Sequence, residues 1–379
     1  MAAKSKSLAT KIALFWAKRH LRKNPPKPFT PLPRDTRARI LVVNTTGIGD
    51  TIFATAALAD LRESFPNAHI TAFVDRRRLE LLAGNPRLNG VIPYEGKFKR
   101  VRPTRNLLRG FDVAIIQHAN DPDVVPLVAS AQPGALIGYE SHTYSLLYAI
   151  KLPPANRAGG DHTIDARLAL TRAVGASGTH WHPELFPSAQ ARALAADTLQ
   201  QAGLREGEAI ALNLGGSNAA KRWPFSRWAE LIGLLHSQSL PVVLVGGPDE
   251  AAEARKLLAP WRDKMLGAAS FGSPTRALAG TLPFMASAAL LKLCRAHVSA
   301  DTGLMHAGLA LDVPTVALFG PDDPKWTGPY PRQRNAIVVQ SEAALALDAE
   351  ERKRRTDLMQ AITAQEVAAA LDKLSEPIA

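Results

Sequence analysis

At 379 residues and 40.7 kDa, with 46% hydrophobic, 21% charged and 6% aromatic residues, the chain can core two domains and is too evenly mixed for a disordered or fibrous protein. Its single cysteine, Cys294, excludes an internal disulfide and a thiolate-cluster metal site, and fits a reducing compartment. Of the formal net charge of +12, residues 1–40 carry +10 (eleven Lys and Arg against Asp35), so the body that follows this basic arm is close to neutral.

Basic arms are drawn to polyanions, either phosphate backbones or anionic lipid surfaces. Leu8, Ile12, Phe15 and Trp16 fall on one helical face, with Lys4, Lys11, Lys18, Arg19 and Arg22 available to flank it, which favours an anionic membrane surface over nucleic acid. The apolar run at 12–17 is far below the roughly 20 residues of a spanning helix, and no later segment reaches that length. No small-residue cleavage site follows it, so it does not read as a secretory signal. Pro25, Pro26, Pro28, Pro31 and Pro33 then predict a stiff, extended linker, and residues 1–38 are taken together as arm and linker.

From residue 39 the pattern is strand, turn and helix in repetition. Residues 39–44 (RILVVN) form a β-branched run, 45–50 a glycine-containing turn, 51–64 a helix and 69–74 a second strand, with further strands at 90–93, 112–117 and 135–138. After a proline-containing stretch near 182–187 the grammar restarts. Strands are expected at 209–214, 241–245, 264–268, 297–300 and 314–319, and helices at 226–237, 250–258, 285–296 and 303–311. This order predicts an α/β fold of two Rossmann-like, doubly wound domains, 39–185 and 186–342, facing an interdomain cleft. A helical segment over 343–379 is free to pack back across the hinge. Ligands of open parallel sheets sit beyond the carboxyl ends of the strands, so the cleft is the expected site.

Three segments carry chemistry. The first is Asn44-Thr45-Thr46-Gly47-Ile48-Gly49-Asp50. As a dinucleotide fingerprint, with Asp75 as ribose acid, it fails: Ile52 holds the third glycine position, and Asp50 puts a carboxylate where a pyrophosphate needs the helix N-terminus free. Asp50 suits a base that accepts a proton from a sugar hydroxyl, with a helix N-cap as the bland alternative.

The second segment, Gly215-Gly216-Ser217 through Lys221-Arg222-Trp223-Pro224, combines open amides with two cations. It suits a nucleotide diphosphate, or forms a plain surface turn with a basic edge. The third is Asp301-Thr302-Gly303-Leu304-Met305-His306 at a strand end and helix start. Thr302, Gly303 and the helix N-terminus make a second anion site there, and His306 one turn in either donates to a phosphate or sugar hydroxyl or is structural.

Taken in order, ILVVNTTGIGDTIFATAALADLRESFPNAHI, AIALNLGGSNAAKRWPFSRWAELI, PVVLVGGPDE and VSADTGLMHAGLALDVPTVALFGP resemble glycosyltransferase family 9, the ADP-heptose:lipopolysaccharide heptosyltransferases, over residues 39–330. DTGLMH following KRWP is the specific part; GxGD alone is weak. The resemblance implies a GT-B fold and inverting, metal-independent transfer of heptose from ADP-heptose to the lipopolysaccharide inner core, without cofactor, at the cytoplasmic face of the inner membrane. It puts acceptor binding in the N-terminal domain and donor binding in the C-terminal one. Asp50 matches the catalytic base and Lys221 the diphosphate-binding lysine. Asp301, Thr302, Gly303 and His306 match the donor motif, with Asp301 facing heptose hydroxyls; Gly215, Gly216, Ser217 and Arg222 complete the donor set.

Gly47 and Gly49 fall to the acceptor side. Arg76, Arg78, Lys97 and Arg100 are candidates for acceptor carboxylates and phosphates, or form solvated basic loops. Asp121-Pro122-Asp123 has the form of a metal-binding Asp-x-Asp element but falls in a loop of the acceptor domain. His162, Asp165 and Arg167 lie in a segment (HTIDARLAL) that also resembles the family and receives no chemical role. Two other readings remain. One is a family 9 enzyme with another nucleotide sugar or a protein acceptor, although the cysteine-based iron site of the protein-modifying relatives cannot be built from Cys294 alone. The other is a nucleic-acid binder acting through the basic arm, whose function would vanish without residues 1–38.

Overall fold

The computed structural model describes residues 11, 15, 19, 25, 26, 28–141, 143–155, 161–179, 181–216, 218–266, 275–330, 335–355 and 357–374. Apart from Lys11, Phe15 and Arg19, the amphipathic helix expected over 8–21 lies outside these, as does Ser217. The chain divides into two compact units, Met1–Phe186 and Pro187–Ala379.

The first unit is one six-stranded parallel sheet. Its strands are β1 (Arg39–Asn44), β2 (His69–Asp75), β3 (Gly90–Tyr94), β4 (Val113–His118), β5 (Ala135–Tyr139) and β6 (Ile150–Leu152), in the order β3-β2-β1-β4-β5-β6. β1 is central: Val42 pairs with Ala72 of β2 and Ile115 of β4. Its alternate side chains enter two cores, which explains why RILVVN is apolar at every inner position. Ile40 and Val42 pack with Leu58, Leu61 and Leu170 on one face, while Leu41 and Val43 pack with Val124, Leu127 and Val128 on the other. Each such side chain contributes roughly 1.5–3 kcal/mol by leaving water.

The helices that supply those faces are α1 (Ile48–Ser64), α2 (Val101–Leu107), α3 (Val124–Ser130) and α4 (Thr163–Ala173). α1 begins three residues before the expected Thr51, so Asp50 lies inside its first turn. α1 also packs against α4, where the Thr171 hydroxyl donates to the buried Asp60 carboxylate. His162 caps α4, its Nδ1 accepting from the Ile164 amide at 3.1 Å. The proline linker is stitched to this unit: the Leu32 amide donates to the Val174 carbonyl at 2.9 Å. Gly175 permits that approach. Its φ is +99°, and a Cβ there would stand 2.9 Å from the Leu32 carbonyl oxygen.

The second unit repeats the plan. Its strands are β7 (Ile210–Asn213), β8 (Val242–Val245), β9 (Thr275–Ala277), β10 (Ala296–Ala300), β11 (Thr315–Phe319) and β12 (Ala336–Gln340), all parallel in the order β12-β11-β10-β7-β8-β9. Both sheets therefore have the Rossmann strand order, with a topological switch at β1/β4 in one and β7/β10 in the other.

Helices α5 (Ala189–Gln201), α6 (Phe225–Ser237), α7 (Ala251–Leu266), α8 (Phe284–Lys292), α9 (Gly303–Ala310) and α10 (Ala364–Leu374) cover the faces. The C-terminal helix α10 docks on α6, β11 and β12 of its own unit. Trp223 meets Trp228 edge to face at 4.7 Å and donates its indole N–H to the Ile362 carbonyl at 3.0 Å. One expected strand is overturned: residues 264–266 are helical, because α7 continues through Pro260 to Leu266, and the third strand of the sheet is Thr275–Ala277. Lys264-Met265-Leu266 has no β-branched residue to oppose that continuation.

Candidate active site

Each switch point carries a polar cluster. In the first unit, the turn after β1 brings Asp50 opposite His118 at the end of β4. Thr46 Oγ1 donates to Asn44 Oδ1 at 2.9 Å and lies 3.0 Å from His118 Nδ1, which is itself 3.4 Å from Asp50 Oδ2. The packing of α4 on α1 delivers Arg167, whose Nη2 reaches Asp50 Oδ1 at 3.0 Å while Nη1 donates to the Gln117 carbonyl. Arg167 is 5% exposed and Asp50 31% exposed, so the carboxylate is gripped from within and open from without.

Burial alone would raise the Asp50 pKa. The His118 hydrogen bond and charge, the Arg167 guanidinium and the Thr46 hydroxyl outweigh it and bring the group down to about 2. Asp50 is thus ionised at neutral pH. It does not cap its helix, since Gly47 is the N-cap, without a side-chain bond, and the carboxylate faces His118 and Arg167. A Cβ on Gly47 would lie 3.9 Å from Asp50 Oδ2, an ordinary contact distance, so Gly47 adjoins the carboxylate without being demanded by it; Gly49 is the second residue of α1.

The four basic candidates follow the neighbouring strands at the same carboxyl edge. Arg76 is bound to Glu95 at 2.8 Å, and Arg78 closes the same short turn after β2. Lys97 and Arg100 are exposed beyond β3, with Arg100 in the left-handed region at φ +48° immediately before α2. The acids of the Asp-x-Asp sequence are engaged locally. The Tyr94 hydroxyl contacts Asp123 Oδ1 at 2.8 Å and Asp121 Oδ2 at 3.1 Å, and the Phe98 amide donates to Asp123 Oδ2 at 2.7 Å. Asp75 holds its own Arg77 at 2.7 Å.

In the second unit, Asn213 at the end of β7 ties the switch together, donating to Ser299 Oγ at 2.9 Å and Thr302 Oγ1 at 2.7 Å. Thr302 caps α9 by accepting from the Met305 amide at 3.2 Å, with Gly303 the first helical residue. Lys221 Nζ meets Asp301 Oδ2 at 2.8 Å and also pairs with Asp322. The other Asp301 oxygen lies 3.1 Å from His306 Nε2. Burial opposes both charges, but contact with His306 and Lys221 drives the Asp301 pKa well below the carboxylate range, and Asp301 and Asp322 raise that of Lys221.

Arg222 is engaged by Glu250 at 3.3 Å, and Glu250 also accepts from the Gly247 amide at 2.8 Å, which gives the GGPDE segment a part in shaping the loop. Gly216 has no room for a side chain, since a Cβ would stand 2.8 Å from Arg222 Cγ; at Gly215 it would come within 3.4 Å of Asn213 and Glu250. Lys221, Arg222, Asp301, Thr302, Gly303 and His306 thus converge beside the two glycines. A cation and a helix N-terminus that converge in this way can hold an anion.

His118, Asn213, Glu250 and Asp322 have no place in the sequence-based site, and Arg167 receives no role there. His118, Asn213 and Asp322 share one signal, a polar residue at or within three positions of the carboxyl end of an apolar strand, with partners distant in the chain, whereas Arg167 lies inside α4 and Glu250 on the turn after β8.

The profile of glycosyltransferase family 9 (heptosyltransferase) matches residues 102–356. Lipopolysaccharide heptosyltransferase 1 of Pseudomonas aeruginosa is 28% identical over 309 residues, 78% of this chain and 82% of that protein. Two solved structures share the fold. A family 9 glycosyltransferase from Veillonella parvula has a TM-score of 0.76 at 21% identity, covering 91% of this chain and 98% of that one. The ADP-heptose lps heptosyltransferase II of Escherichia coli has a TM-score of 0.70 at 24% identity, covering 89% and 98%. The two Rossmann-like units are thus those of a GT-B-like heptosyltransferase, and the chain is an enzyme of glycosyltransferase family 9.

Proposed function

We propose that this enzyme moves a heptosyl group from ADP-heptose to the inner core of lipopolysaccharide, with inversion and without a metal ion. The observation that carries the reading is the open, ionised carboxylate of Asp50 between His118 and Arg167. An acceptor hydroxyl hydrogen-bonded to it attacks the anomeric carbon of the donor from the side opposite the diphosphate. The new C–O bond forms as the bond to the β-phosphate oxygen breaks, the electron pair leaves with ADP, and the hydroxyl proton passes to Asp50. A carboxylate with a pKa of about 2 is a weak base toward a resting alcohol, so the proton transfers late, when bond formation has made it acidic. One displacement inverts the anomeric centre.

On the donor side, Lys221 and the α9 N-terminus neutralise charge growing on the leaving diphosphate, and Asp301, fixed between Lys221 and His306, accepts from heptose hydroxyls. The relatives support the choice of sugar and acceptor through the lipopolysaccharide heptosyltransferase of P. aeruginosa and the ADP-heptose enzyme of E. coli. Engagement of Asp121 and Asp123 by Tyr94 and Phe98 supports a route in which Lys221 serves in place of a cation. No described helix is long and apolar enough to cross a membrane. We read the arm of residues 1–23 as the contact with an anionic lipid surface at the cytoplasmic face of the inner membrane, where a lipid-linked acceptor would be met.

The test is calorimetric titration with ADP, UDP and NAD in EDTA, followed by transfer from ADP-heptose to a detergent-dispersed acceptor. Selective ADP binding and metal-free transfer are expected. Preference for UDP or NAD overturns the donor, and transfer that needs an added cation overturns the metal-free route.

A further inference from the structure

The donor lysine is claimed twice. Lys221 Nζ lies against both Asp301 and Asp322, so one ammonium faces two carboxylates, which is the wrong balance for a site that must accept a diphosphate. The two acids are not equivalent. Asp301 is bound on both oxygens, by Lys221 and by His306 at 3.1 Å, and its side chain is 10% exposed. Asp322 stands at the Gly320-Pro321 turn after β11, and its side chain is 28% exposed. Its neighbour Asp323 is occupied elsewhere, pairing with Arg352 at 3.1 Å and capping the next turn through the Lys325 amide at 3.0 Å. Burial and the Asp301 charge raise the Asp322 pKa even though Lys221 lowers it, as expected where one cation is shared between two anions.

We propose that Asp322 competes with the donor's diphosphate for Lys221: it holds the ammonium in place while the site is empty, is displaced on binding, and returns to help expel ADP after transfer. This rests on the reading of Lys221 as the diphosphate lysine. An ammonium has three donors, so Asp301 can stay bound while Asp322 and a phosphate oxygen exchange. Asp322 acts through Lys221 and is a positioning residue. Its effect falls on affinity and release, whereas a purely structural role would move stability and weaken binding.

The experiment is ADP titration and stopped-flow ADP dissociation on the full chain, for the wild type, Lys221→Ala, Asp322→Asn and Asp322→Ser. A charge this close to the phosphates predicts ADP affinity tightened roughly tenfold or more in both Asp322 variants, mostly through slower dissociation, with a lower donor KM. Two variants guard against a side chain that disturbs the turn, since only loss of the carboxylate is common to both. If Lys221→Ala weakens ADP while both Asp322 variants bind it no tighter than wild type, the competition is overturned and the donor site stands. If Lys221→Ala binds ADP as wild type does, the donor reading falls, and the competition with it.

Discussion

Replacing Asp50 by Asn separates two roles of one carboxylate. In the folded protein its pKa is about 2, against 3.8 for the free group, and each unit corresponds to 1.36 kcal/mol. The net preference for the ionised form, with burial opposing it and His118, Arg167 and Thr46 outweighing burial, is therefore worth about 2 kcal/mol, and somewhat less for a side chain 31% open to water. Because the folded pKa is depressed, this stability is present above pH 3.8 and is lost as the pH falls toward 2. Asp50→Asn forfeits it at neutral pH and removes the charge that pairs with Arg167 Nη2, for a melting point a few degrees lower.

The chemical effect is larger. Loss of a general base lowers kcat by ~10²–10⁴, equivalent to about 3–5 kcal/mol in the barrier. ADP affinity is expected to stay within about twofold, because Lys221 and its partners belong to the other unit. The assay is mass-spectrometric quantification of heptose transfer, beside scanning calorimetry and ADP titration of the same preparations. Wild-type turnover in Asp50→Asn refutes the base assignment, and a kcat loss matched by lost ADP binding refutes the separation of the two sites.

Two further expectations concern stability. His297 is fully buried on β10, neither ring nitrogen has a hydrogen-bond partner among the described residues, and burial lowers its pKa from 6.5 to about 3. A depressed histidine favours the folded state above pH 6.5 and costs stability as the pH falls toward 3, so about 2 kcal/mol should disappear between pH 7 and pH 5. Urea unfolding at the two pH values tests this: His297→Leu should lose less than wild type over that interval, and an equal loss would show that other groups dominate. Gly175→Ala should cost about 1–3 kcal/mol, through positive φ and collision with the Leu32 carbonyl, and a proteolytic cut in the linker should become faster; unchanged proteolysis would mean the stitch is not what holds it.

Much of this molecule can be read from its residues. RILVVN, VVLV and TVALF announce themselves as doubly buried parallel strands by being apolar on both faces, and the restart of the pattern in the second half announces a second sheet. β12 is quieter because it is only half buried, and the strand expected over 264–268 gives way to helix over 264–266, the part that is described, because a short apolar run does not distinguish helix from strand. Within the site, residues that lie beside glycine turns are visible locally, as Asp50 and Lys221 are. Arg167 meets Asp50 across 117 positions and Asn213 meets Thr302 across 89, and pairings of that span follow from strand order and helix packing, which a linear pattern does not encode.

The stitch at Leu32 turns the proline segment into a ruler. Phe29 and Leu32 pack against the core of the first unit, so the four steps from Pro25 to Phe29 span at most about 14 Å when fully extended, which bounds how far any surface engaged by the preceding residues stands from that anchor. Under the proposed lipid contact, lengthening the proline segment would widen the range of distances between that surface and the first unit, and replacing its prolines would loosen the spacing without moving its outer limit.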